Sequence, residues 1–403
     1  MSGRRVLVLG SYPAVNPRHG GQVRLSQVAQ AYAARGFDVK QASFFPAHAF
    51  YTDSRMGPAD VPLPVQSLRL WRGEPSEWVE DLASGEVAAA TPARVEALER
   101  YAVQADVVHL EQPWLLPLVE RLRERGRIGA FRLVYGSQNI EHELKRAILR
   151  QNRVHEEEDI AGAVQALERR CAEQAALVAA VTAEDAAVLA GWTRAPIVLA
   201  PNGIAPWTSD PARRQRWSQR IGPAPFALYV GSAHPPNVQG FCDCFGASLA
   251  ALSPIHRVVI AGHVSEFILR TPWFKEWKSL NERRTVAVGV LSQEDLSAVR
   301  DLAHAFLLPV TAGGGSNLKT AEALYSGKHV VASPLAMRGF EGFAGLPGLR
   351  VEAPGHAFAA AVADVLEAPA RPVERDAREQ RDSLTWQHTL RALGEAAEGV
   401  VAP

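Results

Sequence analysis

The sequence predicts an α/β protein made of two doubly wound units. Short apolar runs alternate along the 403 residues with segments of helical periodicity. Runs that are apolar at every position are typical of parallel strands buried on both faces, and their alternation with helices is typical of doubly wound sheets. The runs are Val6–Leu9, Val39–Phe44, Val107–Leu110, Leu133–Tyr135, Val178–Val181, Ile197–Leu199, Phe226–Val230, Arg257–Ala261, Thr285–Val288, Ala305–Leu308, His329–Ala332 and Leu349–Val351.

The number of runs favours two units over one. Twelve strands are more than one sheet comfortably holds, and a chain of this length more often forms two domains than one. Residues 201–225 are rich in proline and polar side chains and carry a short helical pattern near Arg213–Arg220, so we place the boundary there. Ligands of such sheets bind at the carboxyl ends of the strands, where we therefore expect the functional residues.

Composition argues against several classes of protein. Lysine plus arginine equals aspartate plus glutamate, 43 against 43, which gives no basis for nucleic-acid binding. The three cysteines are too few for a disulfide framework and indicate a reducing compartment, and no His or Cys cluster completes a metal site. No apolar run reaches the ~20 residues of a membrane span. We therefore expect a cytoplasmic protein with at most a peripheral association at the inner membrane face.

Two glycines precede the first helical pattern. Gly20 and Gly21 follow the first apolar run, and the helix after them stops at Gly36. By itself this pattern fits a plain tight turn as well as a loop that approaches a ligand. It is not a dinucleotide fingerprint, because Gly10–Pro13 does not read G-x-G-x-x-G.

Polar residues lie where two later strands of the first unit end. His109 is one of them, and a hydrogen-bonded core histidine is as good an interpretation there as a site residue. The later strand leads into a helix that opens with Gln138, Asn139, Glu141 and His142. Asn139 and Glu141 either line a cleft or cap the start of that helix.

The most informative segment is residues 309–328. Three consecutive glycines follow the run Ala305–Leu308, and a helical pattern then carries Lys319 and Glu322 one turn apart. Glycines let the backbone approach a ligand closely, and the N–H groups of a helix start attract phosphate. Lys319 adds a positive charge, and Glu322 on the same face can accept hydrogen bonds from sugar hydroxyls. A sugar linked to a diphosphate suits all of these features.

This segment resembles the donor-site signature of the retaining GT-B glycosyltransferases of the GT4-like group (glycosyltransferase group 1), especially members that read Gly-Gly-Gly-x-x-Leu-Lys-x-x-Glu-Ala. Gly327–Ser333 is similar to the strand that follows in that family. The resemblance implies two Rossmann-like lobes that face each other across a cleft, with a C-terminal helix crossing back to the first lobe. It implies an acceptor lobe at 1–205, a donor lobe at 206–382 and the returning helix at 383–403.

The resemblance also implies the donor site. In the family, the glutamate at the Glu322 position binds the nucleotide ribose, and glycine backbone approaches the diphosphate. The implied donor-binding residues are Gly20, Gly21, Gly231, Ser232, Val290, Leu291, Gly313, Gly314, Gly315, Ser316, Asn317, Leu318, Lys319 and Glu322. Relatives often carry a glutamate where Gly314 stands and an arginine where Asn317 stands. The phosphate charge is therefore expected to fall on Lys319, on backbone N–H groups and on Arg18 or Arg24.

Relatives place a histidine near the reacting sugar where this chain has Gln138. Glutamine forms hydrogen bonds but cannot exchange protons near pH 7. A front-face retaining transfer does not need a protein base, because the leaving phosphate can accept the proton of the acceptor; His142 is the alternative. The catalytic candidates are Lys319, Glu322, Gln138 and His142, and the acceptor-side candidates are His19, Arg24, His109, Asn139 and Glu141.

We therefore expect a retaining glycosyltransferase that moves a sugar from a nucleotide-sugar co-substrate to a hydroxyl of a carbohydrate or glycolipid acceptor, without a cofactor or metal ion. Two alternatives stay open: a GT-B sugar-nucleotide epimerase, and a catalytically weak nucleotide-sugar-binding relative. Residues 46–100, which carry Trp71 and Trp78, match no element of the family and are our candidate for acceptor choice.

Overall fold

A computed structural model describes residues 4–17, 19–48, 56–371 and 378–401, so Arg18 and residues 49–55 lie outside the described part of the chain. The chain forms two compact units. The first unit comprises Met1–Pro201 and Thr389–Pro403, and the second unit comprises Asn202–His388. Each unit has its own parallel sheet and its own hydrophobic core.

The first unit is built on a seven-stranded parallel sheet of order β3-β2-β1-β6-β7-β8-β9. All six apolar runs of this half are strands, and their buried side chains form the core beneath the helices. The structure adds an edge strand, β3, and a two-stranded hairpin, β4–β5. The strands are β1 Arg5–Gly10, β2 Asp38–Pro46, β3 Asp60–Leu63, β4 Leu70–Trp71, β5 Glu74–Pro75, β6 Val107–Glu111, β7 Arg132–Ser137, β8 Leu177–Ala180 and β9 Ile197–Leu199.

Helices connect the parallel strands of the first unit. They are α1 Gly20–Ala34, α2 Val65–Leu68, α3 Glu80–Ala89, α4 Pro92–Ala102, α5 Leu116–Glu124, α6 Glu141–Gln151, α7 Glu157–Gln174 and α8 Ala183–Ala190, with a 3₁₀ turn at Glu77–Val79. Gly20 and Gly21 form the first turn of α1, so the glycine pair expected in a loop lies inside the helix.

The second unit has a six-stranded parallel sheet of order β12-β11-β10-β13-β14-β15. Its strands match the six predicted runs to within one residue: β10 Phe226–Val230, β11 Arg257–Ala261, β12 Thr285–Gly289, β13 Ala305–Leu308, β14 His329–Ala332 and β15 Leu349–Val351. Its helices are α9 Pro211–Ile221, α10 Pro235–Phe245, α11 Val264–Arg270, α12 Pro272–Glu276, α13 Lys278–Arg283, α14 Gln293–Leu302, α15 Leu318–Tyr325, α16 His356–Glu367, α17 Arg378–Asp382 and α18 Trp386–Thr389, with 3₁₀ turns at Leu249–Ala251, Pro334–Met337 and Glu341–Phe343.

Each sheet reverses its strand order at one place. In the first unit the reversal lies between β1 and β6, and in the second it lies between β10 and β13. Loops that leave neighbouring strands in opposite directions open a crevice at the carboxyl ends of those strands, which is where doubly wound sheets bind ligands. These two crevices are the places to look for functional residues.

The C-terminal segment differs from the single returning helix expected at 383–403. It forms α18 and a separate helix, α19 Arg391–Val401. The first three residues are not helical, because Leu384 O accepts a hydrogen bond from Ile204 N at 2.8 Å and Trp386 N donates to Ile204 O at 3.0 Å. Helix α19 packs against β7, β8, β9 and α1 of the first unit.

Among the described residues, the helices are all too short or too polar to cross a lipid bilayer.

Candidate functional site

The glycine-rich segment of the second unit lies at the crevice between β10 and β13. Gly313 and Gly315 have φ values of 130° and 59°, a region that side-chain-bearing residues rarely adopt. These two residues turn the chain from the end of β13 into α15, whose N-cap is Asn317. Gly314 and Leu318 lie in the same turn, so the predicted donor residues 313–318 form one continuous loop and helix start.

The start of α15 offers several groups that could hold an anion. The first amides of any helix lack intrahelical acceptors, and the helix dipole adds partial positive charge there. Ser316 is buried, and its Oγ has no hydrogen-bond partner in the described part of the chain. Its carbonyl accepts a bond from Asn202 Nδ2 at 2.9 Å. A buried hydroxyl without a partner is costly unless a ligand or water satisfies it.

Lys319 is held toward the neighbouring loop. Its Nζ donates to Asn237 Oδ1 at 2.5 Å and lies 5.5 Å from the centre of the Tyr229 ring. Although the side chain keeps some solvent exposure, desolvation lowers the pKa of Lys319 to about 8, and the charge of Glu322 partly opposes that shift. The ammonium is therefore the main form at neutral pH, in a place where its charge is poorly hydrated.

Asn237 joins Lys319 to the predicted Gly231–Ser232 loop. Its Nδ2 donates to both the carbonyl and the Oγ of Ser232 at 3.1 Å, and its own carbonyl accepts from Tyr229 Oη at 2.7 Å. Gly231 extends the pairing of β10 with β11 by one residue, since its N–H donates to Ala261 O at 3.0 Å. Sequence reasoning did not single out Asn237; its position after two prolines at the start of α10 was the available signal.

Glu322 is paired with a residue that the sequence did not point to. Arg300 Nη2 contacts Glu322 Oε1 at 2.7 Å, and the guanidinium lies 5.2 Å from the centre of the Trp207 ring. Arg300 is buried, and its Nε has no hydrogen-bond partner among the residues that the structure describes. A carboxylate can accept hydrogen bonds on both oxygens, so this pairing orients Glu322 and leaves it able to accept further bonds.

Val290 and Leu291, two of the predicted donor-binding residues, occupy the loop after β12. Val290 is 61% exposed, while Leu291 packs on the edge of the unit's core. Their backbone is thus at the carboxyl end of the sheet, and β11 and β10 lie between β12 and the strand that leads into the glycine-rich segment.

In the first unit, Arg24 and His109 belong to a buried ion cluster. Arg24 Nε contacts Glu111 Oε1 at 2.5 Å, and His109 lies between Tyr32 Oη at 2.9 Å and Glu111 Oε2 at 2.7 Å. Burial opposes the ionisation of Glu111, but the charges of Arg24 and His109 outweigh it and lower the pKa of Glu111 to about 2. The structure therefore gives both acceptor-side candidates structural partners in the core.

His142 is likewise engaged by the protein. Its Nδ1 contacts Glu168 Oε2 at 2.8 Å, and its Nε2 contacts Gln165 Nε2 at 3.3 Å. Both ring nitrogens thus face groups of α7, and the residue is buried. His142, the alternative to the histidine that relatives carry at the Gln138 position, therefore faces α7 and does not line the first-unit cavity.

His19 is the N-cap residue of α1 and lies edge-on to the Tyr12 ring, with ring centres 4.8 Å apart. Burial lowers the pKa of His19 to about 4, so its ring is neutral at physiological pH. A glycine is required at position 21, because a Cβ there would lie 2.7 Å from the Tyr12 ring.

A cavity of about 490 Å³ opens in the first unit at the β1–β6 crevice. The predicted residues Gly21, Gln138, Asn139 and Glu141 line it. Trp78 and several of its neighbours also line it, and they belong to residues 46–100, the segment predicted to choose the acceptor. The lining residues that sequence reasoning missed include Ser11, Tyr12, His48, Glu80, Asp81, Gln112, Trp114 and Lys145.

A larger cavity of the second unit, about 730 Å³, lies at the amino ends of β10, β13 and β14. Its described lining residues, such as Arg214, His304 and Lys328, include none of the predicted site residues. It lies at the end of the sheet opposite the glycine-rich segment, away from the predicted donor-binding residues.

Part of the chain matches a known protein family. Residues 224–368, most of the second unit, match the family of Glycosyl transferases group 1. No curated protein sequence matches the chain. The family match identifies a glycosyltransferase group 1 domain and makes the chain a glycosyltransferase.

Solved structures of similar fold cover the whole chain. A sucrose-phosphate synthase from Thermosynechococcus elongatus is 19% identical, with a TM-score of 0.70 over 98% of this chain and 99% of that one. An α,α-trehalose-phosphate synthase (UDP-forming) from Burkholderia xenovorans, in complex with glucose-6-phosphate, is 15% identical, with a TM-score of 0.67 over 99% and 100%. The Anabaena protein HepE, in complex with UDP, is 15% identical, with a TM-score of 0.59 over 98% and 96%.

At these identities the likeness establishes the fold, and it confirms the predicted α/β fold of GT-B type.

Proposed function

We propose that the chain is a retaining, metal-independent glycosyltransferase of the glycine-rich subgroup, which moves a sugar from a nucleotide-sugar donor to a hydroxyl acceptor. The observation that carries the proposal is the start of α15. There a partnerless Ser316 hydroxyl, helix amides and the Lys319 ammonium come together at the strand reversal of the second unit. This set of groups suits a diphosphate better than any other common ligand.

The proposed chemistry depends on the leaving group. As the bond between the anomeric carbon and the phosphate oxygen breaks, negative charge grows on the nucleoside diphosphate. Lys319 and the amides of residues 314–316 stabilise that charge more in the transition state than in the ground state, which is what lowers the barrier. The acceptor hydroxyl attacks from the face the diphosphate leaves, and its proton passes to a phosphate oxygen.

This route uses no protein side chain as a base. That agrees with the environment of the two first-unit residues considered for such a role, Gln138 and His142. Gln138 cannot take a proton, and its Nε2 donates to Glu111 Oε1 at 3.3 Å. His142 is occupied by Glu168. Glu322, oriented by Arg300, is assigned to the ribose hydroxyls of the donor.

Uridine donors are the first choice for testing. The Anabaena protein of similar fold was crystallised with UDP, with UDP and glucose, and with UDP-glucose, and an E. coli structure was bound with UDP-2-fluoro glucose. The acceptor is assigned to the first-unit cavity, which has two tryptophan walls and several polar side chains. The three free cysteines support a cytoplasmic location.

The decisive test is Lys319→Ala assayed for sugar transfer and for hydrolysis of UDP-glucose. We expect turnover to fall by ~100-fold or more, the usual loss when one charge-stabilising donor is removed from a transition state. Lys278→Ala is the matched control, because Lys278 is an exposed lysine of the same unit paired only with Glu282 at 3.7 Å. Equal turnover of Lys319→Ala and wild type would reject the assignment. Mass spectrometry of donor incubated alone separates transfer from epimerisation.

A further inference from the structure

We propose that the first-unit cavity recognises an uncharged, hydroxyl-bearing ring of the acceptor, and that Ser11 and Gln112 are the residues that bind its hydroxyls. The inference rests on the proposed function and narrows the acceptor to sugars or polyols without a phosphate or an ammonium group at the bound ring.

Two buried polar atoms in this cavity lack partners. Ser11 is 6% exposed and Gln112 is 5% exposed, and among the described residues neither Ser11 Oγ nor Gln112 Oε1 has a hydrogen-bond partner. Both residues line the cavity. Buried polar atoms are nearly always satisfied, so two of them in one cavity point to a ligand that supplies the missing bonds. A hydroxyl group can do so for both, as donor to the amide oxygen and as donor or acceptor to the serine.

The fold places the two residues side by side. Ser11 directly follows β1 and Gln112 directly follows β6, and these neighbouring strands are where the strand order reverses. The other end of the Gln112 amide is fixed, because Nε2 donates to Glu141 Oε1 at 3.0 Å. That bond leaves Oε1 as the free end of the side chain.

The backbone of Gln112 is also unusual. Its φ is 66°, a left-handed conformation that side-chain-bearing residues adopt at an energetic cost. Its N–H donates to Gly136 O at 2.8 Å, which holds the residue in that conformation. A residue other than glycine in such a position, beside a cavity, is a mark of a functional site.

The cationic side chains of the cavity are already paired with carboxylates, which argues against an anionic acceptor ring. Among the described lining residues, Lys145 and His48 are the ones that can be cationic. Lys145 Nζ is bound by Asp81 Oδ1 and Oδ2 at 2.7 and 2.6 Å and by Trp78 O at 3.0 Å. His48 Nε2 contacts Glu80 at 2.8 Å. A phosphate would have to displace these carboxylates.

The carboxylates are no better placed to hold an ammonium group. Asp81 is neutralised by Lys145, and Glu80 is paired with Arg69 as well as His48. Glu77 also lines the cavity, but it is exposed, so solvent screens its charge. Glu141 accepts bonds from Gln112 and from Asn139 Nδ2 at 3.2 Å, and its burial raises its pKa to about 8, so it is mostly uncharged at pH 7. The walls of Trp78 and Trp114 offer apolar faces on which the C–H face of a sugar ring can lie.

The test is a titration of the full chain that follows tryptophan fluorescence, because two tryptophans line the cavity. The probes are methyl glucoside, methyl galactoside and methyl mannoside as neutral rings, glucose 6-phosphate as the anionic ring and glucosamine as the cationic ring. We expect a neutral ring to bind most tightly. Tightest binding by glucose 6-phosphate or by glucosamine would overturn the inference.

Two variants locate the binding. Ser11→Ala and Gln112→Gly are each expected to weaken the neutral ring by about 10-fold, the effect of one lost hydrogen bond. Glycine suits the φ of Gln112, so this variant removes the side chain without straining the backbone. Ser26→Ala and Gln30→Ala, on the exposed part of α1, are the controls and should bind as wild type. Wild-type affinity in both Ser11→Ala and Gln112→Gly would contradict the assignment.

The same titration separates this inference from the proposed function. If the protein hydrolyses UDP-glucose through Lys319 but its fluorescence responds to none of the rings, the proposed function stands and the assignment of the cavity is rejected. A protein that binds a neutral ring through Ser11 and Gln112 but neither binds nor turns over a nucleotide sugar keeps the cavity assignment and loses the transferase.

Discussion

Lys319 and Glu322 lie one helical turn apart on α15, yet their surroundings differ. Lys319 is desolvated and bonded to a neutral amide oxygen rather than to a carboxylate. Glu322 is bonded to a buried arginine, which fixes its direction. A desolvated cation suits a diphosphate, and an oriented carboxylate suits a ribose diol, so each side chain carries a different part of donor recognition.

We expect the affinity for UDP-glucose to depend on pH through Lys319. Burial lowers the pKa of Lys319 to about 8, and only the ammonium form attracts the diphosphate. Affinity should therefore be constant below about pH 7 and fall above pH 8 by at most about tenfold per pH unit. Calorimetric titrations at pH 7, 8, 9 and 10 measure this. Lys319→Arg should bind with the same affinity across the series, because arginine stays protonated; an identical decline in that variant would show that another group titrates.

Glu322→Ala should weaken donor binding more than it slows the bound complex. The ribose does not change charge during the reaction, so its contacts act on the ground state and the transition state alike. We expect KM for UDP-glucose to rise about 10-fold or more, with kcat within a few-fold of wild type. Glu294→Ala, an exposed glutamate of α14, is the control. An unchanged dissociation constant for UDP in Glu322→Ala would remove the ribose assignment.

At the scale of elements, Asn237 connects the loop after β10 to the start of α15. It bonds to Ser232 on one side and to Lys319 on the other, so the position of the ammonium depends on the start of α10. Nothing in the spacing along the chain shows this link, since Asn237 and Lys319 are 82 residues apart.

Asn237 is therefore predicted to be a positioning residue. Asn237→Asp places a carboxylate beside Lys319 and should raise the pKa of the lysine, so that the pH at which UDP-glucose affinity falls moves upward. Asn237→Ala should lower kcat/KM by about 10-fold without that upward movement. Gln239→Ala, an exposed residue two positions along α10, is the control. A pH profile that stays in place in Asn237→Asp would refute the contact as a determinant of Lys319.

The strands show what sequence reasoning could reach. All twelve apolar runs are strands because parallel strands buried on both faces must be apolar at nearly every position. Strand β3 escaped because Pro62 interrupts it, and an edge position tolerates that proline. The glycine-rich loop was readable because its residues are consecutive. Arg300, Ser11 and Gln112 were not, because only the order of strands and helices brings them to the site.

At the scale of the whole chain, the first unit is completed by residues that follow the second. The chain leaves the first unit after Pro201 and returns at Thr389, and α19 then packs on three strands and α1. Leu393 and Ala397 of α19 are fully buried, and Arg35, the C-cap residue of α1, contacts Glu398 at 3.0 Å. The stability of the first unit therefore depends on the residues of α19 as well as on residues 1–201.

Leu393→Ala tests that dependence. Removing a fully buried leucine side chain costs about 2–5 kcal/mol, so we expect the unfolding transition of the first unit to move to lower temperature. The second unit has separate cores and should unfold as in wild type, which calorimetry with and without UDP distinguishes, because UDP stabilises only the unit that binds it. Arg391→Ala, exposed on the same helix, is the control. A single transition that moves as a whole in Leu393→Ala would mean that the two units unfold together, and an unmoved profile would mean that α19 contributes nothing to the first unit.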